Sequence, residues 1–187
     1  MERQFGASHP TTCTVRTQLA TTLQRLGKLD EAEAIYRKSL DVQRREYGSD
    51  HPTTLLTMNN MGLFLRNLGK TEEAEELMRE SLEGRVAKFG DDHYVVFVSK
   101  TNLGNLLQSV GKLDDAEALL REALSGYRRL LDNDHLFTLK ALNHLGLLRR
   151  EQGDLVEAEA DKRRPNLEYQ SLPPSRCRRT WRRRAPS

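Results

Sequence analysis

Aromatic residues are scarce in this chain, at 6% of 187. An aromatic-rich core or a base-stacking platform is therefore excluded as its main architecture. No stretch approaches the ~18 consecutive apolar residues that a membrane-spanning helix needs. The opening segment MERQFGASHP has no apolar core of the kind a secretory leader carries. There are two cysteines, Cys13 and Cys177, too far apart to form a metal-type pair; so few thiols suit a reducing compartment. No glycine-rich phosphate loop and no nucleophile elbow occurs. These absences predict a soluble, cytoplasmic protein that is not an enzyme.

Charge is abundant but unevenly placed. Residues 161–187 hold nine Lys or Arg against two Asp or Glu, a net of +7. Residues 1–160 hold the other 21 basic and 25 acidic residues, a net of −4. A mildly acidic body thus precedes a strongly basic tail, and the two call for separate readings.

What the body does have is repetition. GKLDEAEAIYRKSL begins at Gly27, GKTEEAEELMRESL at Gly69 and GKLDDAEALLREAL at Gly111. A fourth copy opens at Gly153 as GDLVEAEA and then departs from the pattern. His9, His51, His93 and His135 keep the same 42-residue step, as do Ala32, Ala74, Ala116 and Ala158, each followed by Glu. Series in one register point to a repeat architecture.

Each unit reads as two helices. The first runs from Pro10 to Leu26 in the first copy, with proline at the start, where its missing N–H would have no partner anyway. The recurring glycine stands where a helix stops in a left-handed conformation. The second helix runs from Asp30 to Tyr47. Its first turn is acidic (Asp30, Glu31, Glu33) and its later turns are basic (Arg37, Lys38, Arg44, Arg45), which complements the helix dipole. Helical spacing puts Leu19, Leu23 and Leu26 on one apolar face of the first helix, and Ala32, Ile35, Tyr36 and Leu40 on one face of the second. Ala20, Gly62, Gly104 and Gly146 recur at a single position, where small residues let two helices approach closely. One hairpin cannot bury both of its faces, so neighbours must stack.

The pattern L-A/G-x-x-L followed by A-x-x-x-Y/L resembles the tetratricopeptide repeat. The 42-residue period and the wording HPTT…NNMGLFLRNLGKTEEAEELMRESL resemble the variant found in kinesin light chains. The resemblance implies an all-α, right-handed solenoid of antiparallel hairpins over residues 1–160. Its repeats fall at about 9–50, 51–92, 93–134 and a partial 135–160. It also implies a non-enzymatic adaptor or scaffold that holds peptide segments of a protein partner in a concave groove. Kinesin light chain repeats bind acidic, tryptophan-containing peptides, so an acidic partner is implied here too.

Mapping the small residue of the first helix onto the family pattern turns a set of side chains into that groove. From the first copy it selects Thr17, Gln18, Thr21, Gln24 and Arg25. The second gives Asn59, Asn60, Leu63, Arg66 and Asn67. The third gives Thr101, Asn102, Asn105, Gln108 and Ser109, and the fourth Lys140, Asn143, His144, Leu147 and Arg150. Amides donate and accept at once, which suits an extended peptide backbone. Arg25, Arg66, Lys140 and Arg150 add positive charge to a face of an acidic body, and a concave surface of one sign concentrates ligands of the other.

Other candidates read as structural. The four histidines sit one per repeat, so stacking spaces them out, whereas a metal site needs convergent ligands. Packing or capping is the expected role, and neither a metal nor a cofactor is expected. Glu72/Glu73 and Asp114/Asp115 recur at helix starts, with nothing to make them converge for acid–base work.

The tail, DKRRPNLEYQSLPPSRCRRTWRRRAPS, follows no repeat. Asp161 replaces the apolar Ile35, Leu77 and Leu119, and Pro165 falls at the position of Ser39, Ser81 and Ala123. Both oppose a second helix. Three readings stand: a disordered basic extension, of the sort a frameshift or alternative exon produces; a nucleic-acid or acidic-surface arm built on RCRRTWRRR; and a basic targeting signal. Nucleic-acid association through this tail is the alternative function. The break also predicts that Leu142, Leu145 and Leu148 lie exposed at a weak C-terminal end.

Overall fold

A computed structural model describes residues 10–153 of the chain. Among the described residues there are seven α-helices and no strand. They are α1 (Pro10–Arg25), α2 (Leu29–Tyr47), α3 (Pro52–Asn67), α4 (Thr71–Phe89), α5 (Tyr94–Ser109), α6 (Leu113–Leu130) and α7 (Leu136–Glu151). Successive helices pack as hairpins, and the first helices of neighbouring hairpins also touch: α1 on α3, α3 on α5, α5 on α7. The result is the all-α repeat solenoid expected. The boundary at 160/161, Asp161, Pro165 and the basic tail lie outside the described residues.

The hairpin turns follow from the recurring glycine. Gly27, Gly69, Gly111 and Gly153 all take positive φ, between 76° and 89°, a region costly for residues with a Cβ. The histidines cap the first helices. His51, His93 and His135 each accept a hydrogen bond at Nδ1 from the backbone N–H two residues on, at 3.3 Å. That satisfies one of the orphan donors at a helix start. Two of the rings also pack against the end of the preceding helix: His51 lies tilted 4.9 Å from Tyr47 and His93 stacks 4.9 Å from Phe89. His9 lies outside the described residues.

The core runs the length of the stack. Tyr36 meets Phe64 at 5.4 Å between ring centres, and Phe97 meets Tyr127 edge-on at 5.7 Å. Fully burying one such side chain contributes about 1.5–3 kcal/mol. The small-residue positions do what their recurrence implied. A Cβ added at Gly62 would stand 2.6 Å from Met78 Cγ, and one at Gly104 2.9 Å from Leu120 Cγ.

Two expectations from periodicity are corrected. Leu19, Leu23 and Leu26 do not form a buried face: Leu19 and Leu26 are exposed and Leu23 is partly buried. In later repeats the position of Leu19 is filled by Met61, Leu103 and Leu145, all buried. There it packs within a stack that has a repeat on its N-terminal side, and among the described residues none precedes α1. Leu142, Leu145 and Leu148 are buried, not exposed. The helix α7 packs on both α5 and α6.

Candidate groove on the first-helix face

The first helices of neighbouring hairpins touch one another, and the side chains selected from the sequence lie along them at different depths. Arg25, Asn67, Lys140, Asn143 and Arg150 are exposed. Gln24, Asn60, Arg66, Asn102, Asn105 and Gln108 are half-buried. Asn59 is buried. Its Oδ1 accepts from Asn102 Nδ2 at 3.2 Å, so these two amides form a bridge between α3 and α5. A similar bridge joins α1 to α3, where Thr17 and Thr57 hydroxyls lie 3.2 Å apart. Thr21 ties the face back to the second helix through the Tyr36 hydroxyl at 2.9 Å.

Positive charge gathers across repeats. Burial lowers the pKa of His144, and the charges of Arg66 and Lys140 lower it further. Arg66 comes from α3 and the other two from α7. Arg66 itself is half-buried, which depresses its pKa. Lys140 Nζ sits 5.7 Å from the Phe137 ring centre.

Carboxylates near the starts of the second helices bind basic and amide side chains of neighbouring repeats. Glu73 accepts from Arg37 Nη1 at 2.6 Å across the hairpin junction. Lys70 reaches Glu33 at 2.7 Å and Lys112 reaches Glu75 at 2.9 Å, each one repeat back. At the fourth copy Gln152 donates to Glu117 at 3.2 Å instead. These carboxylates hold repeats together. Among the described residues no group of three or more metal-ligating side chains converges, and no helix is long and apolar enough to cross a membrane.

Sequence reasoning missed one part of this face. Between α1 and α3 lies a half-open pocket of about 180 Å³ whose lining includes Gln43 of α2. Gln43 is fully buried, and neither its Nε2 nor its Oε1 meets a nitrogen or oxygen partner. The polar group beside it is the Cys13 thiol. Burial pushes that thiol's pKa up, while Arg16 and the contact with Gln43 pull it down. The signal was present in the repeat register: Gln43 aligns with Arg85 and Tyr127, three unlike residues at one buried position.

A tetratricopeptide repeat model matches the chain over residues 11–87, 53–125 and 95–164. No curated protein sequence matches it. Among solved structures, BtubC (BKLC) from P. vanneervenii superposes with a TM-score of 0.78 at 23% identity. The match covers 88% of this chain and 67% of that one. The nearly identical TPR-like repeats ascribed to a kinesin light chain of Podosopora anserina superpose with a TM-score of 0.80 at 20% identity. That match covers 89% of this chain and 79% of the other. At such identities the likeness is one of fold.

Proposed function

The chain belongs to the tetratricopeptide repeat family, and from that premise we propose that it is a non-enzymatic adaptor whose first-helix face holds an extended, acidic peptide segment of a protein partner. The family's fold is in general a scaffold for protein–protein interaction, and the finer statement rests on the character of this face. The observation that carries it is the row of half-buried Asn60, Arg66, Asn102, Asn105 and Gln108 along α3 and α5. Guanidinium and ammonium groups supply charge-assisted bonds to carboxylates, and Arg can make two in parallel. Asn60, Asn105 and Gln108 offer paired donor and acceptor atoms to a peptide backbone.

The experiment is a peptide array probed with the full chain at two salt concentrations. Acidic sequences should dominate the hits and weaken as salt rises. Basic or purely apolar hits would overturn the reading.

A further inference from the structure

We propose that Arg121 and Arg128 of α6, with the pocket beside them, form a docking site for an acidic helix of a protein partner, one whose glutamates stand seven residues apart. The site shares no side chain with the groove set and does not rest on the groove reading.

The lining sets the charge of the ligand. Between α6 and α7 lies a half-open pocket of about 410 Å³. The guanidinium groups of Arg121, Arg128, Arg129 and Arg149 line it beside Leu124 and Leu142, and among the described residues no carboxylate does. Arg121 Nε donates to Glu117 of its own helix at 2.7 Å, and Arg129 bonds to Asp92. Arg128 is exposed and has no hydrogen bond or ion pair among the described residues. A recess of one sign concentrates ligands of the other, and an arginine binds a carboxylate through two parallel hydrogen bonds.

The first repeat shows what such a pair of arginines binds. Arg37 and Arg44 of α2 hold the register of Arg121 and Arg128, two repeats earlier. Glu73 of α4 accepts from Arg37 Nη1 at 2.6 Å, and Glu80 of α4 accepts from Arg44 Nη2 at 2.5 Å. Seven residues make about two turns, or ~10.5 Å, on any α-helix. Two glutamates at that spacing therefore meet two arginines at the same spacing when the helices run the same way. The α4 helix is the internal control. It has Arg79 at the first position but Val86 at the second. Glu122, at the register of Glu80, turns instead to Lys100 at 2.7 Å. The α6 helix has both arginines again. The chain's own continuation does not answer the second one, because Arg164 falls at the register of Glu80 and Lys162 at that of Met78. The carboxylate for Arg128 thus comes from another molecule. Leu124 and Leu142 favour an apolar residue between its glutamates, as Leu77 and Met78 stand between Glu73 and Glu80.

The test uses the full chain and a fluorescent probe peptide with the α4 sequence from Thr71 to Phe89, stapled to hold the helix. A second probe carries Glu73→Gln and Glu80→Gln. Anisotropy should show saturable binding of the first probe and binding of the second weaker by about tenfold or more, as expected when bonds to charged groups are lost. Arg128→Gln and Arg128→Glu should each weaken the first probe by about tenfold and leave the second unchanged. Arg128→Lys should regain part of the loss. Arg128 is exposed, so the variants should melt like wild type. All of them carry the same net +7 in residues 161–187, so attraction to the tail cancels. Arg66→Glu, in the groove set, should bind the first probe like wild type. Equal affinity for the two probes, or for wild type and both charge-removing variants, would overturn the site. So would equally tight binding of an unstructured glutamate peptide of the same net charge. Self-association of the chain that Arg128→Glu abolishes would overturn the partner, making a second copy the occupant. Probe binding lost in Arg66→Glu and kept in the Arg128 variants would overturn the site while leaving the groove intact. Acidic-array binding that Arg66→Glu does not change, with the Arg128 effects as expected, would support this site and count against the groove alone.

Discussion

The ammonium of Lys70 lies 2.7 and 2.9 Å from the two carboxylate oxygens of Glu33, which belongs to the preceding repeat. Lys112 stands in the same relation to Glu75, at 3.2 and 2.9 Å. The recurring phrase GK…EAE is thus two halves of one junction. The lysine after the turn glycine reaches back to the glutamate of the preceding repeat. Arg37 completes the cluster by holding Glu33 at 2.8 Å and Glu73 at 2.6 Å.

This junction predicts acid sensitivity. Hydrogen bonds from Lys70 and then Arg37 lower the Glu33 pKa, and the bond from Arg37 lowers that of Glu73. A depressed folded pKa contributes stability above the unfolded glutamate value of about 4.3, and that stability is lost as pH falls through the folded value. Thermal unfolding should be flat near neutrality and fall below about pH 4.3. The Glu33→Gln chain should fall less steeply there than wild type. Lys70 is 47% exposed, so the Glu33–Lys70 coupling in a double-mutant cycle should stay at or below about 1 kcal/mol. An identical acid profile in the variant would remove the junction from the stability account.

Gly126 should not accept a methyl group. A Cβ there would run into the Phe97 ring, which is buried and cannot swing away cheaply. Overpacking of this kind costs about 1–3 kcal/mol, more than the ~1 kcal/mol of helix propensity gained by Ala. Gly126→Ala should lower the melting temperature, and Phe97→Leu added to it should recover part of the loss. A stabilised Gly126→Ala chain would show that α5 and α6 are looser than described.

Asn102→Ala should have two effects. It removes an amide of the proposed groove, and it leaves the Oδ1 of buried Asn59 without its donor. The second effect costs about 1–3 kcal/mol of stability. Thermal unfolding should therefore fall together with peptide affinity, whereas Arg66→Glu should change affinity with little loss of stability. Equal stability of the Asn102→Ala and wild-type chains would mean the Asn59–Asn102 bridge carries no weight.

The helices and their turns were legible because glycine, histidine and small-residue positions obey local rules. Gly27 needs its left-handed turn, His51 caps the helix it precedes, and Gly62 marks a close crossing. Burial in the first repeat was not legible from spacing. Leu19 shares its register with Met61 and Leu103, yet it is exposed because burial at that position depends on a neighbour that spacing alone does not supply. Asn59 read as a ligand contact and proves to be a buried tie to Asn102, since its depth depends on how α3 and α5 cross. Gln43 escaped notice because a lone buried amide has no periodic signature; only the contrast with Arg85 and Tyr127 marks it. The reading of residues 161–187 as a basic extension falls outside the described residues.

The measurement that bears most directly on the central claim compares the full-length wild-type chain with full-length Arg66→Glu on one array of acidic peptides. Both proteins carry the same net +7 in residues 161–187, so attraction to the tail cancels in the comparison. The groove account predicts that wild type binds a subset of acidic peptides and that Arg66→Glu weakens that subset by about 1.5–3 kcal/mol, the range for hydrogen bonds to charged groups. Equal binding by both chains, or binding that tracks peptide charge alone whatever the sequence, would contradict it.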